Sequence, residues 1–375
     1  MGDSEFGTFF VPGPTEVRPA LLAQMARPVI GHRGRAFEAM FARIEAGLRD
    51  IFLTGRPVYV GAASATGFME MAIRNLPEGR ILSLVNGGFS ERFAQVAESC
   101  ARDVDRVVVP WGGTFDMDAV QDALRKQRYV ALTVAHSETS TGVLTDVRLV
   151  SELAHAHGAM AIVDSVSGAG GAELMFDAWQ IDFLVTASQK AMALPAGLAF
   201  GVASTEYLAR ARGVAHRGFY FDALQYEKYA EKNQTPSTPA TSLLYALEMQ
   251  VGDIGREGIE RRWERHLQMR DVTIDWINTV RDRRNVDITV LAPEDSRSPT
   301  VTVIKLPRGL HGPELSEAIK ARGFTIGGGY GELKDTTVRV GHMGDHSVEG
   351  VRRCLNVCEV ALAELVERRG LTMSP

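Results

Sequence analysis

Residues 130–164 read VALTVAHSETSTGVLTDVRLVSELAHAHGAMAIVD, and their pattern decides the fold class. Residues 130–135 form an apolar run too short for a helix, which suits a buried strand. A polar cluster follows, His136-Ser137-Glu138-Thr139-Ser140-Thr141-Gly142. Over 147–157 the period changes: Leu149, Val150, Leu153 and Ala154 share one helix face, and Gly158 supplies the C-terminal stop. A second apolar run, 159–163, ends on Asp164. Strand, helix and strand in this order form the crossover unit that joins parallel strands.

The alternation extends in both directions. Further strands are expected at 58–60, 81–85, 107–109 and 183–187, and helices at 67–75, 91–101 and 117–126. Strict alternation implies an α/β fold with a mainly parallel sheet covered on both faces. After residue 240 the texture changes. Residues 241–282 read as long, charged helix with a break near Gly252 to Gly258. A strand at 300–305, a helix at 312–322, a strand at 337–340 and a closing helix at 348–367 describe a smaller C-terminal α+β domain. The first twenty residues, rich in Pro and Gly, suit either unit. No internal repeat or low-complexity tract interrupts the chain.

Composition excludes several classes of function. The chain has 375 residues, with 41 Lys+Arg against 46 Asp+Glu and a formal charge of -5. That balance offers no general field for nucleic acid or an anionic membrane. Hydrophobic residues at 45% and charged residues at 23% are the mixture of a globular protein, not a disordered one. No apolar run approaches the roughly 20 residues of a membrane helix. The start, Met-Gly-Asp-Ser-Glu-Phe, is acidic and unlike a signal peptide. Three cysteines, Cys100, Cys354 and Cys358, are too few for a disulfide framework or a zinc site. The sequon Asn233-Gln234-Thr235 therefore lacks a secretory context, and a cytoplasmic enzyme is expected.

In parallel α/β sheets, ligands bind outside the carboxyl ends of the strands. Four such ends carry chemistry. Asp164 follows five apolar residues and is poorly solvated unless something pairs with it, although a structural hydrogen bond would also explain it. The run 183–187 leads into Ser188-Gln189-Lys190, and the apolar stretch behind Lys190 leaves that amine little route to water. Desolvation weakens its preference for the charged form, as a nucleophilic amine requires. Residues 58–60 lead through Gly61-Ala62-Ala63-Ser64-Ala65-Thr66-Gly67 into a helix. Small residues and hydroxyls at a helix N-terminus can seat a phosphate, although plain N-capping by Ser64 or Thr66 is the simpler reading. The cluster 136–142 completes the set. Lysine, acid, hydroxyls and an anion seat are together what pyridoxal phosphate needs for its aldehyde, its pyridine nitrogen and its phosphate.

From Pro12-Gly13-Pro14-Thr15 to the last helix, the chain resembles the class V aminotransferases of fold type I, and within them the alanine–glyoxylate and serine–pyruvate branch. The resemblance rests on His136-Ser137-Glu138-Thr139-Ser140-Thr141-Gly142, Val163-Asp164-Ser165-Val166-Ser167, Ser188-Gln189-Lys190 and Val338-Arg339-Val340-Gly341-His342-Met343-Gly344. It implies a large domain of the seven-stranded type over residues 21–255, a small domain over 256–375, and an N-terminal segment, 1–20, packed near the active site. Lys190 would form the Schiff base with pyridoxal phosphate and shuttle the proton, and Asp164 would pair with the pyridinium. Ser64, Ala65 and Thr66 would seat the phosphate, with Gln189 nearby. Thr139 would sit near the phenolic oxygen, and Phe89 would stack on the ring. Thr235 and Thr238 would reach the phosphate of a neighbouring subunit, which implies a homodimer. Arg339 would grip the substrate α-carboxylate with two parallel hydrogen bonds. The substrates would be a small amino acid and a 2-oxo acid. Two departures stand out: Ala65 where a glycine is common, and Phe89 where some relatives have tryptophan.

Competing readings are weaker. His32-Arg33 resembles a pair that contacts the substrate phosphate in phosphoserine aminotransferases; otherwise it positions the N-terminal region. His342 and His346 lack a third metal ligand. Cys354 and Cys358 share a helix face, whereas a cysteine desulfurase needs its cysteine on a mobile loop, and Gly327-Gly328-Gly329-Tyr330-Gly331 has none. Gly168-Ala169-Gly170-Gly171 does not have the Gly-X-Gly-X-X-Gly spacing of a nicotinamide site. A non-catalytic binding module would have no use for Lys190, Asp164 and Arg339 together, and a lyase of the same fold is a further alternative.

Overall fold

The computed structural model describes residues 6–370; the acidic start, residues 1–5, lies outside them. The chain begins with β1 (Phe9–Phe10), α1 (Pro19–Gln24), α2 (Arg35–Phe52), β2 (Val58–Gly61) and α3 (Ala65–Arg74). It continues with β3 (Ile81–Val85), α4 (Gly88–Ser99), β4 (Val104–Val108), α5 (Met117–Lys126) and β5 (Ala131–Ala135). A short hairpin, β6 (Ser137–Glu138) and β7 (Val143–Leu144), precedes α6 (Val147–Ala156) and β8 (Met160–Asp164). Next come β9 (Phe183–Ala187), β10 (Ala199–Ala203), α7 (Thr205–Ala211), α8 (Ala223–Ala230), α9 (Thr241–Glu257) and α10 (Ile259–Arg284). The last part holds β11 (Thr289–Val290), β12 (Val301–Lys305), α11 (Gly312–Lys320), β13 (Thr325–Gly328), β14 (Thr337–Gly341) and α12 (Val348–Arg369).

Seven strands form one sheet in the order β2-β10-β9-β8-β5-β3-β4. The pairs β3–β4, β3–β5, β5–β8 and β8–β9 are parallel, whereas β10 runs antiparallel to both β9 and β2. Successive strand residues point to opposite faces. Leu82, Leu84, Leu132, Val134, Ala161 and Val163 accordingly enter one core with Phe37, Ile44 and Leu48 of α2 and Leu244 of α9. Ile81, Ala131, Met160, Ile162, Phe183 and Val185 enter the other with Phe68 of α3 and Phe93 of α4. Both faces being covered, these strands carry no polar alternation.

A second sheet has the order β1-β13-β14-β12-β11. Its core joins Ile304, Val338 and Val340 to Met269 and Ile277 of α10 and Leu355, Cys358 and Leu362 of α12. β1 pairs in parallel with β13 (Phe9↔Thr325), so the N-terminal segment is held by the smaller sheet, where Phe10 is also buried. The expected helical break falls at Gly258 (φ 84°), between α9 and α10. Gly252 and Gly255 lie inside α9.

Several elements, among them β1, α1, α7, α8 and β13, stand outside the sequence expectations, and three differences bear on the sheet and its cover. α2 is missing from the expectations, although Phe37, Met40, Phe41, Ile44, Leu48 and Ile51 recur at helical spacing and are all buried. β10 is a short run that mixes Phe200 and Val202 with Ala and Gly, and its pairing with β9 and β2 gives it its shape. β4 begins three residues before the expected position, because as the sheet edge it tolerates Asp105 and Arg106 within the strand.

Candidate active site

β8 and β9 are parallel neighbours, with Asp164 opposite Val185, so Asp164 and the turn after β9 emerge at the same sheet end. The turn is fixed by Ala193 N–H to Lys190 O (2.8 Å) and Leu194 N–H to Ser188 O (3.0 Å). Lys190 is only 8% exposed. Its Nζ donates to the Pro12 carbonyl of the N-terminal segment. Gly13, at φ 114°, permits this approach: a Cβ there would overlap Cε and Nζ of Lys190.

Burial pulls the Lys190 pKa down to about 8, and the Arg339 charge acts in the same direction. Burial also pushes the Asp164 carboxyl up to about 7, against the hydrogen bond that Oδ1 accepts from Val166 N–H (2.8 Å). Among the described residues no cationic side chain forms an ion pair with Asp164. The site thus holds an amine whose preference for its charged form is weakened and an acid lacking an ion-pair partner among the described residues.

Glu138, in β6 just after β5, is fully buried and organises one wall. It accepts from Phe89 N–H (3.2 Å), Ser90 N–H (2.8 Å), Ser90 Oγ (3.0 Å), Ser140 N–H (3.0 Å) and Ser140 Oγ (2.6 Å). Its charge lies at the N-terminus of α4, where the free backbone N–H groups and the helix dipole favour an anion. Phe89, on the first turn of α4, stacks on Tyr330 with ring centres 5.1 Å apart. Lys190 Nζ lies 5.7 Å from the Phe89 ring centre. Arg339, in β14, reaches the same place: Nε donates to Gly328 O (2.7 Å) and Nη1 to Thr139 O (3.2 Å). No carboxylate pairs with it among the described residues.

The remaining expected residues divide into two groups. Ser64 is the N-cap of α3 but makes no side-chain cap bond, and Thr66 is exposed on the first turn, so neither hydroxyl acts as a helix cap. Thr139 Oγ1 shares a short hydrogen bond with Ser167 Oγ. The Gln189 Oε1 atom is buried without a partner. Thr235 bonds elsewhere: its Oγ1 donates to Ser237 O (2.7 Å), and its carbonyl accepts from Arg33 (2.7 Å). Thr238 is exposed in the same segment. Arg33 also donates to Pro236 O (3.2 Å) and Gln234 Oε1 (3.1 Å), while His32 is half-buried beside it.

His342 bonds Thr302 Oγ1 through Nε2 (2.8 Å), and burial pulls its pKa down to about 3. His346 bonds Phe9 O (3.1 Å) and stacks on Phe10. Both histidines are thus placed as structural groups. Cys354 and Cys358 are buried in the third core. Tyr330, Arg92 and Ser167 are site residues that sequence reasoning did not single out. Their positions depend on long-range approach of α4, the loop after β8 and the loop before β14, for which no local pattern exists.

An α/β fold with a buried lysine and a buried acid on adjacent strand ends, and an unpaired arginine facing them, defines an aminotransferase-like class of site. The family model described as Aminotransferase class-V matches residues 61–331. The chain belongs to the class V aminotransferases and is a transaminase. It is 35% identical over 361 residues to an uncharacterized aminotransferase of Methanocaldococcus jannaschii, covering 95% of this chain and 92% of that protein. It is 32% identical to a protein of a Synechococcus strain named as the small subunit of a soluble hydrogenase, covering 95% of this chain and 92% of that one. Among solved structures, the alanine–glyoxylate aminotransferase of a Nostoc species superposes with a TM-score of 0.88 at 27% identity, covering 96% of this chain and 97% of that one.

Proposed function

We propose that this chain is a pyridoxal-phosphate aminotransferase that moves an amino group from a small amino acid (alanine, serine or aspartate) to a 2-oxo acid such as glyoxylate or pyruvate. One observation carries the reading: the depressed Lys190 amine and the elevated, unpaired Asp164 carboxyl sit at neighbouring strand ends. The residues fit the cofactor. Asp164 lacks a cation, which a pyridinium would supply, and the buried Gln189 Oε1 lacks a partner. The hydroxyls of Ser64 and Thr66 are free of capping duty at the α3 N-terminus, where unpaired N–H groups favour a phosphate. When bound, pyridoxal phosphate supplies an aldehyde that takes up the amino group and a ring that draws electrons from the α-carbon.

Lys190 would hold that aldehyde through Nζ and, once released by the substrate amine, carry the α-proton. An amine with a pKa near 8 can both accept and return a proton close to neutral pH. Asp164 would keep the pyridine nitrogen protonated by placing negative charge beside it. Ser64, Ala65, Thr66 and Gln189 would seat the phosphate, Thr139 would approach the phenolic oxygen and Phe89 would cover the ring. Arg339 would orient the substrate through its α-carboxylate. Release of the first oxo acid before the second occupies the same carboxylate seat would give ping-pong kinetics. The phosphoserine reading is less favoured, because Arg33 bonds the segment 234–236 with both its terminal nitrogens.

Thr235, whose hydroxyl donates to Ser237 O (2.7 Å), and the exposed Thr238 would reach the phosphate of a second subunit in a homodimer with shared sites. We further propose the division into an N-terminal segment (1–20), a large domain (21–255) and a small domain (256–375), and a cytoplasmic location. No helix among the described residues is long and apolar enough to cross a membrane.

The visible spectrum tests the central reading. The protein loaded with pyridoxal phosphate should show a yellow band that bleaches on adding L-alanine, L-serine or L-aspartate. Lys190→Ala should retain the cofactor weakly and lose transamination; full activity in that variant would sink the mechanism.

A further inference from the structure

We propose that Arg92, braced against the hydroxyl of Tyr330, is a second carboxylate-binding group of this site, so that the preferred amino donor is a dicarboxylic amino acid such as aspartate. The inference rests on the aminotransferase reading above and selects a substrate class within it. Two guanidiniums flank the Phe89–Tyr330 stack. Arg92 lies 5.1 Å from the Phe89 ring centre and Arg339 lies 5.6 Å from the Tyr330 ring centre. Both act electrostatically on Lys190, so both belong to one site.

Neither guanidinium has an anion of its own among the described residues. Other partly buried arginines are ion-paired, Arg106 with Glu91 and Glu98 and Arg18 with Asp253 and Asp345. Glu91, the chain neighbour of Arg92, turns to Arg106 instead (3.2 Å). Glu138 is close, but both its oxygens serve the α4 N-terminus and Ser140. Ring faces compensate a cation only in part. The substrate α-carboxylate answers one guanidinium. The second calls for a second carboxylate.

Tyr330 completes the receptor. Its oxygen accepts from Arg92 Nη2 (2.9 Å), which leaves its own hydrogen free to donate to an anion. The ring is fixed in place. A Cβ on Gly88 would lie 2.6 Å from Tyr330 Cε1, and one on Gly331 would lie 2.6 Å from Trp111 Cη2. A guanidinium with a phenolic O–H recognises carboxylate geometry and offers a neutral methyl group nothing.

The test uses the full-length protein loaded with pyridoxal phosphate, as wild type and as Arg92→Gln, Arg92→Lys and Tyr330→Phe. The first readout is the ratio of kcat/KM for L-aspartate to that for L-alanine in the bleaching half-reaction. The second is calorimetric binding of succinate against propionate, which requires no turnover. The wild type should favour aspartate and succinate. Losing a charge-assisted bond should lower both ratios about tenfold or more in Arg92→Gln, less in Arg92→Lys, and about threefold in Tyr330→Phe. Ratios unchanged within about twofold in Arg92→Gln would overturn the proposal, as would a wild type that prefers alanine and propionate. A wild type that binds succinate but is bleached by no amino acid would instead refute the aminotransferase reading beneath it.

Discussion

At the scale of single residues, Asp164 shows how function is bought with stability. Burial lifts its pKa to about 7, so between about pH 4 and pH 7 the folded protein retains a proton that the unfolded chain has released. Stability from this group is complete below about pH 4 and is lost as the pH rises through 7. Asp164→Asn should therefore raise the unfolding temperature of the cofactor-free protein at pH 8, by a free energy on the order of a few kcal/mol. The gain should shrink towards pH 5; a gain independent of pH would refute this account of the carboxyl. The same substitution should lower transamination sharply. Arg339→Ala is expected to act on substrate binding instead. Loss of a bidentate, half-buried contact costs about 2–5 kcal/mol, so the amino-acid KM should rise roughly thirtyfold or more. An unchanged KM would remove Arg339 from the carboxylate site.

At the scale of elements, the N-terminus of α4 depends on a residue from another strand. Both oxygens of Glu138 accept backbone N–H groups, from Ser90 on one side and Ser140 on the other. A glutamine cannot replace it, because one of its ends would turn an NH₂ group towards those donors. Glu138→Gln and Glu138→Ala should both destabilise the protein by about 3 kcal/mol, measured by urea unfolding, since buried donors are left unsatisfied. A glutamine variant as stable as wild type would show that the carboxylate is dispensable. The hydrophobic pattern reveals α6 and β8 because each encodes its own periodicity. It does not reveal β10. Gly201 sits where a Cβ would lie 3.0 Å from Phe68 and 3.3 Å from Phe183, so the composition of that strand answers to neighbours distant in sequence.

At the scale of the whole molecule, a buried ion network joins the two sheets. Arg262, on α10, is 2% exposed and donates to Gly170 O (3.0 Å), Ala191 O (2.8 Å), Glu257 (2.8 Å) and Asp345 (3.0 Å). Asp345 also pairs with Arg18 (2.5 Å), which reaches Asp253 on α9 (2.5 Å). The residue after Lys190 is thus tied to the long helix and to the smaller sheet. Arg262→Met should cost about 3–5 kcal/mol, because it strips the Gly170 and Ala191 carbonyls of their buried donor and leaves Asp345 with Arg18 as its one remaining cation. A loss below about 1 kcal/mol in denaturant titration would mean that the network does not carry the junction. The sequence alone determined the α/β class, the parallel strands from 81 to 187, and Lys190 and Asp164 as residues to watch, because periodicity and a polar group at a strand end are local signals; Arg339 stood out only through the resemblance to the class V family. Only the tertiary structure decided that β1 joins the smaller sheet, that β10 runs antiparallel, and that Tyr330 and Arg92 meet Phe89 beside Lys190. Those facts depend on contacts between distant segments, which burial and packing select and no local pattern encodes.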